Sequence, residues 1–274
     1  MISFPNCKIN LGLYIIGKRS DGYHELETIF YPLPFKDAIE VIETKTIQFS
    51  ISGLAIGGEQ ENNLCLKAYY LLQKDFPQLL PLKIHLHKSI PMGAGLGGGS
   101  ADGAFMLKLI NKKFDLSLSE KQLNGYALQL GSDCPFFILN KPCFATGRGE
   151  FLEQIDPDLS AFKILIVHPG IHISTSWAFS QLSGRLLRPD GYKSLKDIIQ
   201  QPISTWKDEL INDFEEPVFS QYSEIKKIKD ELYKAGAVYS SMSGSGSAVY
   251  GIFKKNVNIN LSLSENYFIK EVQL

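Results

Sequence analysis

Hydrophobic and polar positions alternate through the first third of the chain. Ile9, Leu11 and Leu13 alternate with Lys8, Asn10 and Gly12, which predicts an extended stretch over residues 2–16. A turn follows at Gly17-Lys18-Arg19-Ser20-Asp21-Gly22, then strands over 27–33, 37–43 and 46–52 with glycine loops after them. The period changes at residues 62–76, where Leu64, Ala68, Leu71, Leu72 and Phe76 mark one face of a helix. Residues 82–87 alternate again, as a half-buried strand does. From Ala101 a helical spacing of Ala104, Phe105, Lys108 and Leu109 runs unbroken to Phe114. A second helix is expected from Ser119 to Leu130, with Ser119 and Gln122 as its capping box and Gly131 as its stop. Strands over 143–147 and 150–155 flank the turn Gly147-Arg148-Gly149.

Asp156-Pro157-Asp158 reads as a linker, after which strands alternate with helices. The pattern predicts a strand over 163–167, short helices over 174–183, 194–200 and 204–214, and a longer one over 217–235. That last helix carries Val218, Tyr222, Ile225, Ile228 and Leu232 on one face and stops at Gly236. Strands over 237–241, 248–253 and 267–273 complete the chain. Two domains are expected, 1–156 and 157–274, the second a compact α+β unit.

Composition changes this picture mainly by exclusion. The chain has 274 residues and a net charge of −1, with no basic block, which argues against a nucleic acid polymer as partner. No apolar run is long enough for a spanning helix, so no membrane role is expected, and the first residues lack the pattern of a signal peptide. Cys7, Cys65, Cys134 and Cys143 show no C-x-x-C spacing. They read as reduced, buried thiols of a cytoplasmic protein. Oligomeric state has no signature in the sequence.

Candidate chemistry concentrates in Ile90-Pro91-Met92-Gly93-Ala94-Gly95-Leu96-Gly97-Gly98-Gly99-Ser100-Ala101, with five glycines in seven residues. A strand, a glycine loop and a helix N-terminus make an anion site, because close-approaching amides and the first helical turn have donors to spare. A polyphosphate is the natural guest. A Walker A loop needs Lys after its last glycine, but Gly99 and Ser100 follow Gly98. A dinucleotide fingerprint is present as Gly93, Gly95 and Gly98, with Asp115 at about the usual interval of 20 residues. A flexible linker is the plain alternative, disfavoured by the strand and helix on either side.

Four other places stand out, each with a plain structural alternative. Lys8 lies in an apolar strand, as a charge clamp or as a solvent-facing lysine on an edge. Asp133, in Gly131-Ser132-Asp133-Cys134-Pro135-Phe136-Phe137, is a proton acceptor or a helix cap. Ser243-Gly244-Ser245-Gly246 is a second glycine loop or an ordinary hairpin connection. Tyr23 and His24 are core filler or a platform for a base.

The pattern Pro-x-x-x-Gly-Leu-Gly-x-x-Ser-Ala, carried by Pro91, Gly95, Leu96, Gly97, Ser100 and Ala101, resembles the phosphate loop of the GHMP kinases. Four further segments, at Pro5–Leu11, Asp21–Leu26, Gly131–Phe137 and Ser243–Gly246, occur in the order that family uses. Asp102 departs from it, standing where a small or amide residue is commoner. The resemblance implies a two-domain α/β sandwich with the active site between the domains, ATP and Mg²⁺ as the cofactors, and Lys8 and Asp133 as the catalytic pair. It implies that Pro91, Met92, Gly93, Ala94, Gly95, Leu96, Gly97, Gly98, Gly99, Ser100 and Ala101 wrap the ATP phosphates, with Asn63 and Lys88 near the nucleotide. The Lys8/Asn10 strand, the Tyr23-His24 turn and the Asp133 segment narrow it to members acting on a small-molecule cytidine diphosphate in isoprenoid synthesis. Asn10, Tyr23, His24 and Phe179 would then bind the acceptor, Tyr23 and Phe179 sandwiching its cytosine and His24 reading the edge. Rival functions are a homoserine- or mevalonate-type kinase, a dinucleotide-dependent oxidoreductase, and a nucleotide-binding module without catalysis.

Overall fold

Among the described residues the alternating stretches pair into three four-stranded sheets. The computed structural model describes residues 1–55, 57, 59–182 and 191–274; Gly58, in the expected glycine loops, and Ser183, the last residue of the helix expected over 174–183, lie outside them. By contacts the chain forms two compact units. One takes Met1–Cys7, Phe35–Met92 and Gly97–Lys141, and the other Lys8–Pro34, Gly93–Leu96 and Pro142–Leu274. The boundary expected after residue 156 falls inside the second unit, because strand Phe151–Gln154 pairs with Cys143–Thr146 and that strand with His24–Lys36.

In the first unit the strand order is Ile2–Ser3, Ala38–Glu43, Leu82–Lys88, Gln48–Gly53. The first two pairings are antiparallel and the last is parallel. A parallel pair needs a crossover, and helix Leu64–Asp75 supplies it. That helix buries Cys65, Leu66, Ala68, Tyr69 and Leu72, so its inner face is turned from the one expected, and Leu64, Leu71 and Phe76 are only half-buried. Helices Gly98–Lys113 and Glu120–Leu130 form as expected, the latter with its Ser119–Gln122 capping box intact. The apolar run after Asp133 is a short helix, Cys134–Leu139, with Pro135 in its first turn, where the missing N–H costs nothing.

The second unit holds the other two sheets. Tyr239–Met242, Val249–Lys254, Phe162–His168 and Phe268–Gln273 are antiparallel throughout. Leu165, Val167, Val218, Ile225, Ile228, Leu232, Val249 and Phe253 share its core. Two helices depart from expectation. The one expected over 217–235 is broken into Glu215–Gln221 and Ser223–Lys234 at Tyr222, which takes φ −126° and ψ 74°. The one expected over 204–214 is a 3-10 turn, Ile203–Thr205, followed by Trp206–Glu209. It ends early because Leu13 pairs with the backbone of Ile211 and Asp213.

Candidate active site

The glycine loop is built by three left-handed residues. Gly93, Gly95 and Gly97 have φ of 65°, 78° and 70°, a region that costs other residues energy. Gly97 is the N-cap of helix Gly98–Lys113, and its carbonyl accepts the first helical bond, from Ala101 N at 2.9 Å. The amides of Gly98, Gly99 and Ser100 therefore have no carbonyl partner inside the helix, and the dipole adds partial positive charge around them. Such free donors suit an anion.

Within the second unit, Lys8 is 3% exposed, so it is not solvent-facing, although its strand Asn6–Lys18 stands at an end of its sheet. Its Nζ donates to Asn10 Oδ1 at 2.6 Å and to the Gly95 carbonyl at 3.1 Å, and lies 5.0 Å from the centroid of the Phe30 ring. The backbone N–H of Lys8 donates to Leu96 O at 2.9 Å. Asn10 Nδ2 donates to Thr28 Oγ1, and Asn10 N–H to Ser243 Oγ. Ser243 Oγ in turn donates to Gly95 O at 2.8 Å. The loop Ser243–Gly246 does connect two antiparallel strands, yet it also seats the Gly93–Leu96 segment beside Lys8. Asn212, which sequence reasoning passed over, holds that loop open by donating to Met242 O and Gly244 O, both at 2.8 Å. Its only trace in the sequence is an Asn-Asp pair after a helix.

Asp133 belongs to the first unit, where it takes the N-cap position of Cys134–Leu139 without making a capping hydrogen bond. The cap alternative is thereby weakened. Next to it, burial pushes the Cys134 thiol up to about 12, with Asp133 adding to the shift and a hydrogen bond from Ser100 opposing it. Cys134 stays a thiol, and its contact with Ser100 brings the Asp133 step against the first turn of the phosphate helix. Asn63 caps helix Leu64–Asp75, accepting from Cys65 N at 2.9 Å. Leu64 meets the phosphate helix at Gly103, where an added Cβ would lie 2.9 Å from Leu64 Cβ. Lys88 is buried and gives its ammonium to Asp37 and Asp102.

Tyr23, His24 and Phe179 all lie in the second unit. His24 stacks on Phe179 with ring centroids 4.7 Å apart and planes 15° apart, while Phe179 meets Phe214 edge-on. Tyr23 is 54% exposed, and the Arg148 guanidinium lies 4.6 Å from its centroid. The stacked partner of Phe179 is therefore His24, and that of Tyr23 is Arg148, a residue the sequence showed only as a turn. Burial, helped by Lys18, lowers the His24 pKa, so its ring is neutral at pH 7 and offers one donor and one acceptor. Among the described residues no group of three or more His, Cys, Asp or Glu side chains is placed to hold a metal ion. No helix among them is long and apolar enough to cross a membrane.

Known proteins resemble the chain along its whole length. The model of the GHMP kinases N terminal domain matches residues 63–141, and that of the GHMP kinases C terminal domain matches 194–261. A 4-diphosphocytidyl-2-C-methyl-D-erythritol kinase of Bacteroides fragilis is 51% identical over 278 residues, covering 100% of both chains. A crystal structure of a 4-(cytidine 5'-diphospho)-2C-methyl-D-erythritol kinase superposes with a TM-score of 0.79 at 30% identity, over 92% of this chain and 90% of that one. The mevalonate kinase of Methanococcus jannaschii, at 13% identity and a TM-score of 0.69 over 100% and 98% of the two chains, shares the fold alone. With both family domains matched and half of all positions identical over full length, the chain belongs to the GHMP kinases, in the family of the 4-diphosphocytidyl-2-C-methyl-D-erythritol kinases.

Proposed function

We propose that the chain is an ATP-dependent kinase that phosphorylates the 2-hydroxyl of 4-diphosphocytidyl-2-C-methyl-D-erythritol, in non-mevalonate isoprenoid precursor synthesis. The observation that carries this is the full-length 51% identity, with Lys8, the Pro91–Ala101 loop, Asp133 and the Tyr23-His24 turn all present. Phosphoryl transfer asks a protein mainly for positioning and charge stabilisation. The amides of Gly98–Ser100 hold the ATP phosphates, and the adenine lies near Asn63 and Lys88. Asp133 accepts the proton of the acceptor hydroxyl as its oxygen bonds to the γ-phosphorus. The bond from that phosphorus to the β-bridging oxygen breaks, and ADP leaves. The Lys8 ammonium, fixed by Asn10 and Gly95, stabilises the oxygen that loses its proton.

Bound together with ATP, Mg²⁺ would supply charge neutralisation at the phosphates. Residues 1–156 carry nucleotide and acceptor contacts in this reading, and 157–274 contribute Phe179 and the Ser243–Gly246 loop. The small-molecule acceptor is the partner, and the setting is cytoplasmic.

The acceptor pocket supplies the test. A base is held by stacking on Tyr23 and Phe179, with Asn10 and His24 as polar contacts. Stacking is worth roughly 1–3 kcal/mol per base, so Tyr23→Ala is expected to lower kcat/KM for the cytidylyl substrate about 5- to 150-fold with ATP affinity unchanged. His24→Ala is expected in addition to blunt discrimination between cytosine and uracil analogues, since polar contacts read a base edge. Paired kinetics on both variants with both nucleotides check this. Loss of ATP binding in Tyr23→Ala with the acceptor spared would move Tyr23 to the donor site.

A further inference from the structure

Three charged side chains of the first unit meet beside the end of strand Leu82–Lys88 and the N-terminus of helix Gly98–Lys113. Lys88 ends strand Leu82–Lys88, Asp37 precedes strand Ala38–Glu43, and Asp102 sits on helix Gly98–Lys113. They are 1%, 1% and 2% exposed. Lys88 Nζ donates to Asp102 Oδ2 at 2.8 Å and to Asp37 Oδ2. Asp37 Oδ1 accepts from the amides of Ser89 and Ile90 at 2.6 and 2.9 Å, the two residues that lead into the loop. A Cβ built on Gly98 would lie 3.3 Å from Lys88 Nζ, so the ammonium sits directly under the first helical residue.

A buried ammonium needs one carboxylate, and this one has two. With all three groups ionised the cluster carries −1 in a place next to the amides that would hold an anion. Asp102 Oδ1 is buried with no hydrogen-bond partner among the described residues, so nothing at that atom stabilises a negative charge. We propose that Lys88 is a positioning residue of the phosphate loop, clamped by Asp37 and Asp102 so that strand end, loop entry and helix N-terminus form one frame. The clamp's proton count sets how strongly that frame holds a nucleotide phosphate. This rests on the nucleotide reading above and assigns to Asp102 a part in it.

The electrostatics give the sign. Burial, with Asp37 adding and Lys88 opposing, raises the Asp102 pKa to about 7. Burial works against the Lys88 ammonium, but Asp102 and Asp37 outweigh it and hold its pKa above the ordinary lysine value. Cys65, facing the cluster from helix Leu64–Asp75, is pushed well up by its burial and by Asp102 and remains neutral. The proton lost on crossing neutral pH is therefore that of Asp102. Below that point the clamp is neutral; above it the clamp is −1 and opposes a bound phosphate. ATP affinity falls as pH rises.

The test compares wild type with Asp102→Asn, which keeps the shape and an acceptor for Lys88 but is neutral at every pH. The Kd for MgATP is measured by calorimetry from about pH 6 to pH 8.5, alongside the KM of the acceptor. The two proteins are expected to bind MgATP alike at the acid end and to diverge about 3- to 30-fold at the alkaline end, wild type the weaker, with acceptor KM matching throughout. A merely structural pair would leave the ratio flat; a flat ratio, or acceptor KM rising with the Kd, overturns the proposal. A second measurement needs no variant: wild type is expected to take up a fraction of a proton on binding MgATP near pH 7, read from binding heats in two buffers, and zero uptake overturns it. Failure of wild type to bind MgATP at any pH would refute the nucleotide reading itself, a result distinct from a flat ratio.

Discussion

Asp133→Asn is expected to lower kcat about 10²- to 10⁴-fold while leaving ATP affinity within a few-fold, because it removes a proton acceptor and keeps the side chain's shape. Asp133 takes an N-cap position but makes no capping bond, so the amide should cost the helix Cys134–Leu139 little. Its neighbour Cys134 contacts Ser100, in the first turn of helix Gly98–Lys113. Steady-state kinetics with a separate ATP binding measurement decide it. Retention of more than about a tenth of wild-type kcat would strip Asp133 of the base role, since general-base removal costs far more than that.

Gly95→Ala is expected to destabilise the protein by roughly 2–4 kcal/mol and to cost most of its activity. Gly95 has φ 78°, which strains any other residue, and its added Cβ would sit 1.9 Å from the carbonyl oxygen of Ser243. That oxygen is backbone, so the loop must move. Moving it displaces the Gly95 carbonyl, which accepts from both Lys8 Nζ and Ser243 Oγ. Gly125→Ala is the control. Gly125 lies in helix Glu120–Leu130 with nothing within 4 Å of an added Cβ, and alanine there is expected to stabilise by about 0.5–1 kcal/mol. Denaturant unfolding of both variants checks the contrast; equal stability would mean that the Gly93–Leu96 segment is not seated on Ser243.

What the sequence shows of the fold is what local chemistry determines. The capping box at Ser119 and Gln122, the stop at Gly131, and the strand, loop and helix from Leu82 to Lys113 are written in neighbouring residues, and all are found. Partner choice is not local. Nothing in Gln48–Gly53 says that it pairs parallel with Leu82–Lys88 rather than antiparallel with its neighbour. The apolar face of Val218, Ile225, Ile228 and Leu232 runs across the break at Tyr222, so periodicity alone reads one helix where there are two.

The site divides in the same way. Its glycines are legible because their spacing between a strand and a helix suits a phosphate-holding turn, and Lys8 because a lysine is rare in so apolar a strand. Asn212 and Arg148 are ordinary polar residues until folding sets one against the loop at Met242 and Gly244 and the other over Tyr23. Asp37, Lys88 and Asp102 are separated by 51 and 14 positions, and only the assembled first unit shows that both carboxylates meet one ammonium. His24 on Phe179 is a similar case, since the sequence offered two aromatic platforms and the fold chose how they pair.

This kinase is expected to take an acceptor bearing a cytosine. Release of ADP with purified protein, ATP and Mg²⁺ tests it most directly, against the cytidylyl methylerythritol, its uridylyl analogue, homoserine and mevalonate in parallel. Turnover with the cytidylyl acceptor, weaker turnover with the uridylyl one, and background with the other two is the predicted result, with the new phosphate on the 2-hydroxyl. Turnover with homoserine or mevalonate, and none with the cytidylyl acceptor, would contradict it.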